Sequence, residues 1–228
     1  MISVIIPALN EGRTIGQVVR LAAHSPLVSE VIVVDDNSSD NTAEEAKRAG
    51  ATVITSIRLG KGSSMKEGLE IASNPYIVFL DADITTYPEN IIQLLTNPVI
   101  SNRADFCKSY FSRQAGRVTE LLAKPLLSIL FPGFPIFLQP LSGMIAGKRE
   151  YFESIEFEEG YGVDIGILID MHQMGARIRE VYIGHIENAM HPLEELGKMS
   201  REVATVILKK SILRGRYTQE TPGYAFNG

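Results

Sequence analysis

Val78-Phe-Leu-Asp-Ala-Asp83 is an apolar run that stops on two carboxylates one residue apart. The run itself, Tyr76–Leu80, is short and uninterrupted by polar residues, the pattern of a parallel strand covered on both faces. Three similar runs precede it, at Ile2–Pro7, Val31–Asp35 and Thr52–Thr55. Helical spacing fills the intervals. Ile15, Val18, Val19 and Ala22 recur at i, i+3, i+4 and i+7, behind a Thr14–Gln17 pair with the spacing of a capping box. Thr42 and Glu45 form a second such pair, and Gly50 stands where a glycine closes a helix. Met65, Leu69 and Ala72 mark a third helix. This alternation predicts an α/β fold: a right-handed, Rossmann-like, mostly parallel central sheet flanked by helices.

Beyond residue 100 the rhythm loosens. Ala104–Tyr110, Gly143–Ala146 and Ile178–Ile183 read as strands, Val118–Leu130 and Val163–Met174 as helices. Met199, Val203, Val206 and Ile207 give a closing helix an apolar stripe. Lys209, Lys210, Arg214 and Arg216 follow it, where cations complement the helix dipole or meet an acidic membrane surface. No repeat or linker divides the chain. The expectation is one domain over 1–228, with a first half over 1–100 and a second over 101–228.

Composition narrows the classes. The 228 residues are 45% hydrophobic and 21% charged, which excludes disorder, collagen and coiled coil as the main content. A net charge of −5 provides no global positive field, so nucleic acid is not an expected partner. A single cysteine, Cys107, allows no internal disulfide and no cysteine-based zinc site, and it suits a reducing, cytoplasmic location. The apolar Ile2–Pro7 run is too short, and lacks the basic leader, for a signal peptide. Leu121–Leu141 is the longest apolar stretch, but Lys124, Pro125, Pro132, Pro135 and Pro140 break it. It reads as core or interface, consistent with a homodimer, and not as a transmembrane segment.

Asp81 and Asp83 close the fourth strand at the carboxyl edge, where open α/β sheets bind ligands. Hard carboxylate oxygens suit Mg²⁺ or Mn²⁺, ions that keep few protein ligands and take the rest from diphosphate and water. The plainer alternative is a pair of turn acids before Ile84. Pro7, Ala8, Leu9 and Glu11 leave the first strand at the same edge, able to hold a base and ribose through main chain and carboxylate. Asp36, after the second strand, can accept the N3–H of uracil or the N1–H and amino group of guanine, whereas adenine presents an acceptor there. Asp40 fits a cap for the Thr42 helix. Gly60-Lys-Gly-Ser-Ser64, before the third helix, offers backbone amides and the Lys61 charge to an anion, or serves as a flexible connector. The spacing of a Walker motif is absent, as is Gly-x-Gly-x-x-Gly after the first strand.

Taken together, Pro7–Glu11, Asp35–Asp40, Gly60–Gly62 and Asp81–Asp83 resemble the nucleotide-sugar half of a GT-A glycosyltransferase of the family 2 type. Gly116-Arg-Val-Thr-Glu-Leu121, Gln139-Pro-Leu-Ser-Gly143, Gly160-Tyr-Gly-Val-Asp-Ile-Gly166 and His191-Pro-Leu-Glu-Glu-Leu-Gly-Lys-Met-Ser200 are similar to segments of the glucosyl-3-phosphoglycerate synthase family. The resemblance implies a hexose, glucose above all, moved with retention from a UDP- or GDP-sugar to a small phosphorylated acceptor such as 3-phosphoglycerate. It implies nucleotide-sugar contacts from Pro7, Ala8, Leu9, Glu11, Asp36, Lys61, Asp81 and Ala82. Gly116, Arg117 and Thr119 would hold the acceptor phosphate, an assignment that suits a planar guanidinium fork, a hydroxyl and a bare amide. Asp83 and Asp164 would be catalytic, Asp164 standing where the family usually has Glu. Asp83 would also ligate the ion, with a histidine as a further contact. Counting back from Pro192 puts that position on Asn188; His185 lies upstream, and His191 is carried forward as the ligand. Two other readings stay open: sugar transfer to a polyprenyl phosphate, with Leu121–Leu141 meeting lipid, and a non-catalytic nucleotide-sugar binder.

Overall fold

The computed structural model describes residues 1–112, 116–187 and 193–212. Along the chain run β1 (Ile2–Ala8), α1 (Ile15–His24), β2 (Val28–Asp35), α2 (Thr42–Arg48), β3 (Thr52–Thr55), α3 (Lys61–Ile71), β4 (Tyr76–Phe79), α4 (Ile91–Ile100) and β5 (Phe106–Tyr110). A π-helical turn (Thr119–Ala123) then leads into α5 (Lys124–Leu130), β6 (Ile145–Lys148), α6 (Arg149–Glu153), α7 (Val163–Gln173), β7 (Ile178–Tyr182) and α8 (Leu193–Ile212). The strands form one sheet in the order β3-β2-β1-β4-β6-β5-β7. β1, β2, β3 and β4 pair in parallel, as do β5 and β7. β6 alone is antiparallel to both of its neighbours.

Side chains alternate across the pleat, so each apolar strand feeds two cores. Ile5, Ile32, Val34, Ile77 and Phe79 point to the face covered by α3, α5, α7 and α8. Val4, Ile6, Val33 and Val78 point to the face covered by α1, α2 and α4. Burying a side chain of this size is worth about 1.5–3 kcal/mol, which makes these alternating positions the main anchor of strand register.

The four N-terminal strands lie where the apolar runs predict them, with β1 and β2 slightly longer. Two helices had no clear signal: α4, which carries Pro98 inside it, and the five-residue α6. Neither predicted capping box forms. Thr14 Oγ1 instead bonds the carbonyl and carboxylate of Glu11 at 3.2 and 2.9 Å, and Gln17 reaches the Thr85 carbonyl at 2.9 Å. Thr42 accepts the Glu11 N–H at 2.8 Å, while Asp40, as expected, takes the Thr42 N–H at 3.0 Å. Acceptors in the loops of the carboxyl edge thus capture the side chains that local spacing assigned to the helices.

Among the described residues, the cations closing α8 are drawn into ion pairs. Lys209 pairs with Glu156 and Glu158, both at 3.1 Å, and the buried Lys210 with Asp170 at 2.7 Å, which ties α8 to α7 and the loop before it. Arg214 and Arg216 lie outside the described residues. Within the Leu121–Leu141 stretch, Leu127, Leu130, Phe131 and Phe137 are buried, whereas Leu121, Ile129 and Ile136 are exposed. No helix of the described residues is long and apolar enough to cross a membrane.

Candidate active site

Strands β1 and β2 end level, with Ala8 in register with Asp35, while β4 ends at Phe79 opposite Ile5 and its chain runs on through Leu80 to Asp83 at the same edge. Their loops line a cleft of about 1800 Å³ that continues over the start of α3, the Gly116–Thr119 segment and the start of α7. Pro7, Ala8, Leu9, Glu11, Asp36, Lys61, Asp81, Ala82, Asp83, Gly116, Arg117, Thr119 and Asp164 all line this cleft. His191 and Asn188 lie outside the described residues. His185 is exposed and directs Nδ1 to the Ser112 carbonyl, 3.3 Å away.

Asp36 is buried, and one of its oxygens accepts the Gly60 N–H at 2.9 Å. Its other oxygen, also buried, has no partner among the described residues. Leaving such an oxygen unmet costs about 1–3 kcal/mol, so a donor from outside the chain, a water or a ligand, would stabilise it.

Lys61 sits at the centre. It is the first residue of α3, so the glycine-flanked segment opens that helix instead of preceding it. Its ammonium lies 2.9 Å from Asp81 and 2.8 Å from Asp164. Burial alone would lower its pKa, but the two carboxylates outweigh burial and raise it, keeping the lysine charged. The flanking amides are already engaged, Gly60 N–H by Asp36 and Gly62 N–H by the Glu159 carbonyl at 2.9 Å. A Cβ at Gly62 would strike the Glu158 carbonyl. These glycines therefore serve close packing of the 158–162 loop on α3, and what the segment offers the cleft is the Lys61 charge in place of the Gly60 and Gly62 amides.

Asp83 is half-buried, and burial pushes its pKa up to about 6, helped by the neighbouring charges of Asp81 and Glu11 against the pull of Lys61. Glu11 is raised as well, first by burial. Crowded carboxylates in excess of the nearby cations are a donor set that fits a divalent cation. Among the described residues no three such groups converge into a complete cage. An ion held at this edge would therefore have to draw its remaining ligands from phosphate oxygens and water.

Tyr87, which the sequence did not single out, fixes the end of β4. Its hydroxyl accepts the Asp81 N–H at 3.0 Å and donates to the Asp81 carbonyl at 3.1 Å. Gly143 is equally constrained, since a Cβ there would lie 2.6 Å from Asp81 Oδ1. Asp164 is buried in the first turn of α7, with one oxygen on Lys61 and the other buried and without a partner among the described residues. Burial raises its pKa, and Lys61 works in the opposite direction. On the far side of the cleft Thr119 is buried, whereas Gly116 and Arg117 are exposed.

Comparison with known proteins agrees with this geometry. The family model Glycosyl transferase family 2 matches residues 3–153. The chain belongs to that family. The glucosyl-3-phosphoglycerate synthase of Mycobacterium tuberculosis (strain ATCC 25618 / H37Rv) is 37% identical over 92% of this chain and 73% of its own length. The enzyme of the same name from Petrotoga mobilis is 33% identical over the same shares. A crystal structure of the M. tuberculosis enzyme with Mn²⁺, UDP-glucose and phosphoglyceric acid superposes with a TM-score of 0.87 at 38% identity, covering 92% of this chain and 79% of that one. The protein is thus a glycosyltransferase whose seven-stranded, mostly parallel sheet has the GT-A fold.

Proposed function

We propose that this protein transfers glucose from UDP-glucose to the 2-hydroxyl of 3-phosphoglycerate, with retention at the anomeric carbon and with Mg²⁺ or Mn²⁺ bound. Residues 1–100 hold the donor and residues 101–228 the acceptor, within one domain. The carrying observation is the pair of buried carboxylate oxygens of Asp36 and Asp164 that have no partner among the described residues, both residues lining one cleft together with Lys61. They match a ligand with hydrogen-bond donors at both ends and negative charge in the middle, as in a nucleotide sugar.

In this reading Asp36 accepts the N3–H of uracil, and the relatives solved with UDP-glucose favour uridine over guanosine. Asp83, and Asp81 beside it, would hold the ion, which when bound neutralises charge on the leaving diphosphate. Lys61 contributes a fixed positive charge toward the same group, at no cost in reorganisation during the reaction. Asp164 uses its free oxygen to orient a sugar or acceptor hydroxyl. Arg117 and Thr119 hold the acceptor phosphate, with the guanidinium fork matching two oxygens at once. The same reading places the protein in the cytoplasm, and the exposed Leu121, Ile129 and Ile136 support a homodimer that sedimentation can test.

The direct test is release of nucleoside diphosphate across a matrix of UDP- and GDP-sugars against 3-phosphoglycerate and a short polyprenyl phosphate, with and without Mg²⁺. Turnover confined to UDP-glucose, 3-phosphoglycerate and metal supports the proposal. Turnover on the lipid phosphate, or UDP binding with no turnover on any acceptor, overturns it.

A further inference from the structure

Lys108 lies in the middle of β5, fully buried, in a strand position where a lysine is costly. Its ammonium donates to the main-chain carbonyl of Ser142, and the adjacent Ser109 hydroxyl lies 2.5 Å from the Ser142 hydroxyl. Directly across the parallel β5–β7 ladder stands Glu180. Its carboxylate accepts the Leu138 N–H at 2.8 Å and the Gln139 N–H at 3.3 Å. One register pair thus grips both ends of a single turn, residues 138–142. That turn lines the cleft, and at its end Gly143 packs against Lys61 and Asp81 with no room for a side chain.

We infer that the buried Lys108 and the half-buried Glu180 are positioning residues, a clamp that fixes the 138–143 turn against the Lys61–Asp81 pair and so sets the alignment of donor and acceptor. This inference deepens the transferase reading and rests on it for its effect on rate. Three physical points carry it. The turn has no regular secondary structure of its own, so its backbone groups need partners from elsewhere. A buried ammonium is a poor stabiliser: burial pushes Lys108 down to about 8, against the pull of Asp164, Asp81 and Glu180, with Lys61 adding to the depression. Its retention therefore trades stability for placement of the turn. Finally, a shift of about 1 Å in a reacting group costs on the order of 100-fold in rate.

The test compares Lys108→Met, Lys108→Gln and Glu180→Ala by hydrogen exchange, thermal unfolding, UDP titration with Mn²⁺, and steady-state kinetics. In Lys108→Met, peptides covering 138–144 should exchange about tenfold faster or more. kcat should fall on the order of 100-fold, while Tm holds or rises and UDP affinity stays within about threefold. Lys108→Gln restores an N–H to the Ser142 carbonyl and should recover part of both the protection and the rate. Unchanged exchange over 138–144 in Lys108→Met overturns the clamp, as does kcat within about threefold of wild type. If Lys108→Met does not fold, Glu180→Ala decides by the same two readings at Leu138 and Gln139. A wild-type protein inactive on UDP-glucose and 3-phosphoglycerate, with exchange nonetheless loosened in the variants, keeps the clamp and refutes only the substrate assignment.

Discussion

Strands β3-β2-β1-β4 and strands β6-β5-β7 share one sheet but deliver polar groups to the cleft by different means. In the first set, Glu11, Asp36, Asp81 and Asp83 follow directly from the carboxyl ends of parallel strands. Topology alone gathers them there, since parallel strands end together. In the second set the cleft residues sit on a π-helical turn, on the irregular 138–143 turn and at the start of α7. Two of these are held by charged side chains: Lys108 and Glu180 bond the backbone of the 138–142 turn, and Lys61 pairs with Asp164 at the start of α7. One side is placed by backbone pairing and the other by side-chain polar contacts. Chemistry in the first should therefore be removable without loss of fold, whereas in the second a charge change should act through placement of the turn, as at Lys108, or through stability, as at a carboxylate held by ion pairs.

Asp83→Ala is the sharpest form of that contrast. It should lower transfer by about 10³-fold or more, the scale seen when charge stabilisation at a leaving group is removed. It should leave Tm unchanged or slightly higher, because a carboxylate crowded by Asp81 and Glu11 is lost. A parallel drop in Tm and rate would mean that Asp83 is structural.

The opposite outcome is expected at Asp105, just before β5. Its buried carboxylate accepts bonds from Lys148 at 2.7 Å and from Arg177 at 2.8 and 2.9 Å. Arg177 foremost, with Lys148, holds its pKa well below the usual carboxylate range despite burial. A carboxylate depressed in the folded state stabilises above its unfolded pKa, about 3.9, and that contribution fades as pH falls below this value. Asp105→Asn should cost about 2 kcal/mol at pH 7, a figure kept low because Arg177 is half-exposed. The gap between variant and wild type should narrow toward pH 3. Thermal unfolding across pH reads both, and an equal gap at every pH would disprove the linkage.

Arg117→Ala tests whether the cleft wall opposite the strand ends has its own task. Losing a guanidinium fork should raise KM for a phosphorylated acceptor about 10- to 100-fold while KM for the nucleotide sugar stays put. Equal changes in both would undo the division of the cleft into two substrate sides.

Legibility in the sequence follows the same division. The apolar runs Ile2–Pro7 and Tyr76–Leu80 are local signals, and the rule that parallel strands end together turns them directly into Asp36, Asp81 and Asp83 at one edge. Thr14 and Thr42 misled because spacing reports a helix start but not the competing acceptors of Glu11 and Asp40. Gly60 and Gly62 looked like an anion cradle because their real partner, the 158–160 segment, is far along the chain. Lys108 and Glu180 were invisible: a charged residue in a strand reads as solvent-facing until the packing of the whole sheet is known. The same holds for Tyr87, an aromatic in a loop with no periodic context.

Tyr87 offers the smallest effect and the finest test of how far backbone placement suffices. Tyr87→Phe keeps the ring in the core and removes only the hydroxyl that brackets the Asp81 amide and carbonyl. The lost bonds should cost about 1–2 kcal/mol of stability, since two main-chain groups at the strand end lose their partner. If pairing of β4 with β1 is enough to aim Asp81 and Asp83, the rate should change less than about threefold while Tm drops. If the hydroxyl also sets the bend that turns both acids into the cleft, Mn²⁺-dependent UDP binding should weaken about tenfold along with it. The first result would keep the strand ends as self-sufficient placements. The second would show that even the half built by topology depends on one side-chain contact to finish its site.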